Sequence, residues 1–160
     1  MIAAQVEAQD FEFSVDLKGS AFYSDSVHVF NQNPDSVLWN ISLWARKQVS
    51  SELDTLLFIE NVKGLVYLSK ISVIARLESQ DTLGLQFKMT IAVDNRLMKY
   101  IVTDIHHYDL QEMKKCSNLA SLRGTCYFEG KPDEWNRFRK DADLRIMRML
   151  SSIEEYLTSK

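Results

Sequence analysis

From residue 83 to residue 94 the chain alternates without interruption. Leu83, Leu85, Phe87, Met89, Ile91 and Val93 hold one parity, and Gly84, Gln86, Lys88, Thr90, Ala92 and Asp94 the other. A period of two sends the two sets to opposite faces of a strand, one apolar and one wet. Neighbouring stretches extend the pattern. Residues 55–60 read as a strand, Asn61, Val62, Lys63 and Gly64 as a four-residue turn, and residues 65–77 as a long strand. Residues 78–82 turn the chain again, Asp94 and Asn95 form the next tight turn, and residues 97–109 read as a further strand. Residues 55–109 are therefore expected to form a four-strand antiparallel meander. On its second strand Val66, Leu68 and Ile74 make the other face partly apolar as well, so part of that face is expected to be covered.

A sheet with one apolar face needs a cover, and the sequence offers two amphipathic helices. In residues 35–51, Val37, Leu38, Ile41, Trp44, Ala45 and Val49 recur at three- and four-residue spacing, with Asp35 or Ser36 placed to cap the first turn. Trp39 and Leu43 lie off that stripe. They either widen the buried face or make a second contact, with the N-terminal extension or with a partner chain. In residues 132–158, Pro132 suits the first turn, Asp133 and Glu134 stand at the positive end, and Trp135, Phe138, Ala142, Ile146, Met149, Leu150, Ile153 and Leu157 form a long stripe. Ahead of both helices, Phe11, Phe13, Val15 and Leu17 alternate with polar residues and suggest an edge strand ending at Gly19, and residues 27–30 a second short extended piece.

The expected fold is thus α+β, a single antiparallel sheet in β-α-β-β-β-β-α order with an extra N-terminal strand and two helices on one face. One domain is expected over residues 1–160. It divides into an N-terminal extension with the edge strand (1–26), a helix plus four-strand meander (27–109), a loop region with one strand-like fragment near residues 126–129 (110–131), and a C-terminal helix (132–158). A chain of 160 residues has room for this, since a globule of that size buries roughly 68–70% of its unfolded surface.

The chemistry of the sequence is sparse. A net charge of −3 argues against a nucleic-acid surface, which needs a clustered excess of Lys and Arg. Arg137, Arg139, Lys140, Arg145 and Arg148 are interleaved with Asp141 and Asp143 and read as a solvated helix face. The aromatics Tyr67, Phe87, Tyr100 and Tyr108 read as cross-strand packing rather than base stacking. The densest polar group is Asp104, His106, His107, Tyr108 and Asp109. His106 and His107 point to opposite faces, and Asp104, His106 and Tyr108 share one, too few ligand types for a metal site. There is no Gly-x-Ser-x-Gly and no glycine-rich phosphate loop among only five glycines. No catalytic residue, cofactor or metal site is expected, and the chain does not read as an enzyme.

Cys116 and Cys126 stand in a loop-like stretch and permit two readings. They are unpaired thiols of a cytosolic chain, or in an exported one they close a small loop and contribute on the order of 3 kcal/mol. Their spacing is not that of a zinc motif, and no second pair exists. No run approaches the roughly 18 apolar residues that span a bilayer. The first residues lack the apolar core of a signal peptide, although Ala3, Ala4 and Gln5 resemble what surrounds a cleavage site.

Three stretches carry a resemblance. They are the helix start Asp35, Ser36, Val37, Leu38 and Trp39 with Trp44; the run Leu57, Phe58, Ile59, Glu60, Asn61, Val62, Lys63, Gly64, Leu65, Val66 and Tyr67; and the strand 85–93 with Asp94, Asn95, Arg96, Lys99 and Tyr100. Together they resemble a family of bacterial domains described as having a TATA-box-binding-protein-like fold, commonly exported in gut anaerobes. The chain departs from it at Asn95, where glycine is expected, in extra residues before Tyr100, and in the preceding strand at 11–17. The resemblance implies topology and an outward location and brings no activity, since a fold name implies shape rather than DNA binding.

The expectation is a non-enzymatic, exported binding domain, periplasmic or at the cell surface, whose partner is a protein or envelope component met through Trp39 and Leu43. The alternatives are a helix-grip carrier of a small apolar ligand and, for location, the cytoplasm.

Overall fold

The strand with unbroken alternation lies inside the sheet, paired on both edges. The computed structural model describes residues 11–29, 33–47, 55–61, 65–76, 82–94 and 96–159, with side chains described outside 55–61, 65–76 and 82. Seven strands run through these residues: β1 Ser14–Val15, β2 Ala21–His28, β3 Thr55–Asn61, β4 Leu65–Arg76, β5 Thr82–Asp94, β6 Leu97–Asp109 and β7 Lys114–Asn118. Helix α1 is Pro34–Lys47, α2 is Pro132–Thr158, and a 3-10 turn at Cys126–Phe128 precedes α2. All pairings are antiparallel, in the order β1-β2-β6-β5-β4-β3, with β7 also on β6. The fold is α+β, one antiparallel sheet with two helices, and the meander β3 to β6 is laid down in chain order.

Register fixes which side chains meet the helices. Ile91 stands opposite Val66 of β4 and Tyr100 of β6. Leu83, Leu85, Phe87, Met89 and Ile91 are all buried, as their parity predicts, while Lys88 and Asp94 are exposed. From the other side come Val37, Ile41, Trp44 and Ala45 of α1 and the whole expected stripe of α2, from Trp135 to Leu157. These residues belong to a single hydrophobic cluster. A hydrogen bond ties the two helices within it, Trp44 Nε1 donating to Ser152 Oγ at 2.9 Å.

β6 changes face partway along its length. Met98, Tyr100 and Val102 are buried on one parity, and Ile105 and His107 on the other. The switch is a bulge: Gln86 pairs with His106 but Lys88 with Thr103, so two residues of β6 oppose Phe87 alone. Asp104 absorbs the extra residue at φ 56, a left-handed conformation that a short polar side chain tolerates. With β5 on one edge throughout, the other edge of β6 is shared in succession. β2 takes Leu97–Val102 and β7 takes His106 to Asp109. Asn118 joins the two where they meet, its Oδ1 accepting from Ala21 N–H at 2.9 Å and from Ala120 N–H at 3.0 Å.

Several sequence expectations are corrected. The first strand does not run over residues 11–17: only Ser14–Val15 pairs, because Asp16 Oδ1 accepts from the Lys18 and Ser20 N–H groups and starts a turn completed by Gly19 at φ 79. β2 begins at Ala21 rather than residue 27, since its exposed Ser24, Asp25 and Ser26 hold the ladder through backbone groups alone. The region 110–131 contains β7, and its expected strand-like fragment is the 3-10 turn. The cap of α1 is Asn33, whose Oδ1 accepts from Asp35 N–H at 2.9 Å, so Pro34 takes the first helical position. Arg139 and Asp143 are buried rather than on a solvated face. Residues 1–10, Val49 with the expected end of the first helix, and the turns at 62–64 and 78–81 lie outside the described residues, as do the side chains of β3 and β4.

Candidate functional site

The bulge in β6 aims His107 inward. Its ring meets Phe128 at 4.8 Å and Phe138 at 5.2 Å between centroids, both edge to face. The residue is 1% exposed, and its Nδ1 has no hydrogen-bond partner. Burial pushes the imidazole down to about 4, against the upward pull of the Asp109 charge, so the ring is neutral near pH 7. A buried polar atom without a partner costs about 1–3 kcal/mol.

Beside His107 lies the segment 110–131. Asp109 Oδ1 accepts from the Gln111 and Glu112 N–H groups, both at 3.0 Å, and turns the chain into β7. Cys116 on β7 is bonded to Cys126 in the 3-10 turn, with 6.1 Å between the Cα atoms. Cys126 sits at φ 57, unusual for a residue with a side chain. Next to it Tyr127 donates to Glu134 Oε2 at 2.9 Å, and Lys131 lies over its ring at 3.7 Å.

These pieces enclose one side of a cavity of about 310 Å³. Leu83 and Tyr127 give it apolar walls, Asp109, Glu112 and Lys114 give it charge, and His107 and Cys126 both reach it. Glu112 pairs with Lys114 at 2.5 Å, and that hydrogen bond holds the Lys114 ammonium above the usual lysine range. One ring nitrogen of His107 and the sulfurs of Cys116 and Cys126 lie within 4.8 Å of one another. A second hollow, of about 490 Å³, runs under Leu122 and Phe128 to Pro132. Both open at the 110–132 end of the molecule.

The polar residues clustered on β6 divide between two faces. Asp104 and His106 share the wet face, 3.0 Å apart. Lys115 approaches the same carboxylate at 2.6 Å and Lys88 at 3.3 Å. Burial works to raise the Asp104 carboxyl, but the hydrogen bonds of Lys115 and Lys88 and the nearby charges together hold it below the usual range. His106 Nδ1 is 3.0 Å from the Cys116 carbonyl oxygen. This group is an internally satisfied network on a strand face.

On α1, Trp39 is 61% exposed and Leu43 one turn later is half-buried. Trp44 and Trp135 are buried, so Trp39 stands apart from the other tryptophans. The grouping of His107 with the two cysteines could not be seen from spacing alone. Its one trace in the sequence is the broken alternation after Val102.

No protein-family model and no curated protein matches the chain. Solved structures do. A TBP-like protein from Parabacteroides distasonis superposes with a TM-score of 0.66 at 15% identity, covering 89% of this chain and 96% of that one. A DUF4468 family protein from Bacteroides ovatus superposes with a TM-score of 0.58 at 11% identity, covering 92% and 94%. At such identities the likeness establishes the fold: this chain has the TBP-like architecture.

Proposed function

We propose that this protein is a non-enzymatic, extracytoplasmic interaction domain that engages a partner protein of the cell envelope through the outward face of α1. The observation that carries this reading is Trp39, whose large ring is 61% exposed at the middle of a well-anchored helix. Tryptophan is enriched among the few residues that carry most of the binding energy at the centre of interfaces. Leu43 extends the apolar patch by one turn, and the exposed Arg46 and Lys47 border it with charge. The outward location is supported by the Cys116–Cys126 bond, since structural disulfides persist in oxidising compartments.

A photo-crosslinking residue at position 39 or 43, in cells that make the protein, should give a discrete adduct with an envelope protein. The same residue at exposed Asp141 should give none. Adducts absent at both helix positions, or equal at all three, would refute the interface. Trp39→Ala should leave stability within about 0.5 kcal/mol, as for other exposed positions, so its loss of capture would report binding rather than folding. Thiol blocking in intact cells should label Cys116 and Cys126 only after reduction; labelling without reductant would refute the location.

A further inference from the structure

We propose that His107, Cys116 and Cys126 form a redox-gated site for a divalent transition metal of the zinc class. The site is closed while the disulfide stands and available once it is reduced. This goes beyond the interaction surface on α1 and does not depend on it; in the oxidising compartment proposed above, the site stays closed until a reductant reaches the Cys116–Cys126 bond.

Three features converge on the proposal. Two sulfurs and an imidazole nitrogen already lie within 4.8 Å of one another, brought together from β6, β7 and the 3-10 turn. Thiolate and imidazole are the donor set that zinc prefers. His107 is 1% exposed, with Nδ1 lacking any partner, in a nest of Phe128 and Phe138 that a phenylalanine would fill equally well. A buried imidazole nitrogen without a hydrogen bond calls for an explanation, and a ring that also places a nitrogen within 4.8 Å of two sulfurs supplies one as a metal ligand. The 310 Å³ cavity reaches His107 and Cys126, leaving an open side for water as a fourth ligand.

The geometry requires little movement. Tetrahedral zinc, with bonds near 2.3 Å to sulfur and 2.0 Å to nitrogen, places its donors roughly 3.6–3.8 Å apart. The nitrogen and sulfurs must therefore close by about an ångström, and the sulfurs, once unbonded, must separate across Cα atoms 6.1 Å apart. The chemistry balances with a dithiol or phosphine reductant. It delivers two electrons to the S–S bond, two protons from solvent or from the dithiol complete the Cys116 and Cys126 thiols, and the reductant leaves as its own disulfide or phosphine oxide. The metal then binds two thiolates and neutral His107, releasing the two thiol protons.

The test uses the full chain, reduced with a phosphine and titrated first with cobalt(II) and then with zinc. Expected are one equivalent bound, a thiolate-to-cobalt charge-transfer band, the intense visible bands of a four-coordinate ion, and displacement of cobalt by zinc. The oxidised protein should show none of these. His107→Phe, which keeps the ring packing, should weaken zinc binding roughly 100-fold, the share of one ligand in a four-ligand site. The double variant Cys116→Ser, Cys126→Ser should abolish the charge-transfer band and keeps the test decisive if His107→Phe fails to fold. A reduced wild type without the band, equal binding by the oxidised protein, or unchanged affinity in a folded His107→Phe would each overturn the proposal.

Discussion

Asp143 is the side chain on which the N-terminal segment hangs. From the buried side of α2 its Oδ1 accepts from the Tyr23 hydroxyl at 2.5 Å, and its Oδ2 accepts from Glu12 N–H at 3.0 Å. One turn earlier, Arg139 lies 4.4 Å from the Phe11 ring and donates through Nε to the Leu119 carbonyl at 2.8 Å. Tyr23→Phe should lower stability by about 1.5–3 kcal/mol, the worth of a hydrogen bond to a charged group, read as a lower urea midpoint at unchanged slope. The same phenol sets an alkaline limit. Burial, then the hydrogen bond and charge of Asp143, raise Tyr23 far above 10.0, and burial with the charges of Asp25 and Glu154 pushes Tyr100 up to about 12. Above the unfolded value near 10 the unfolded chain loses these protons while the folded one keeps them. Stability is therefore full below about pH 10 and should fall as pH rises beyond it, less steeply in Tyr23→Phe than in the wild type. Charge spacing along α2 placed Arg139 and Asp143 on the solvated side. Nothing in their own neighbourhood announces that Tyr23, more than a hundred residues earlier, supplies the buried partner.

Elements were legible in the sequence where side chains hold them and illegible where only the backbone does. β5 and the stripe of α2 appear at once, because every second or every third to fourth residue is apolar. β2, with Ser24, Asp25 and Ser26, and β7, with Lys114, Lys115, Ser117 and Asn118, bury few side chains and exist through ladder bonds to β6. A period-based reading passes over such strands. At Gly84 the ladder also leaves no room for a side chain, since a Cβ there would stand 2.6 Å from the Tyr108 carbonyl oxygen. Gly84→Ala should cost about 1–3 kcal/mol through forced separation of β5 and β6, measured by chemical denaturation. The disulfide fastens β7 to the 3-10 turn across a separation of ten residues. Replacing both cysteines by serine should lower the unfolding free energy by about 3 kcal/mol, and added reductant should then have no further effect.

At the scale of the molecule, the sheet and both helices contribute to one buried cluster, with Trp44 and Trp135 inside it. Unfolding should be a single cooperative event, near- and far-ultraviolet circular dichroism giving the same midpoint. Separate midpoints would mean that the 110–131 segment melts by itself. The candidate metal cluster was hidden from the sequence for a whole-molecule reason: the His107 contact with the cysteines depends on the bulge at Asp104 and on the path of residues 110–131 back across β6. The shared edge of β6 carries a last consequence. β7 covers the backbone at His106 to Asp109, held there by its ladder bonds, the Lys115–Asp104 ion pair, the disulfide and the Asn118 side chain. Prying it away would turn an interior strand into an open rim, the kind of template on which identical chains stack into fibrils.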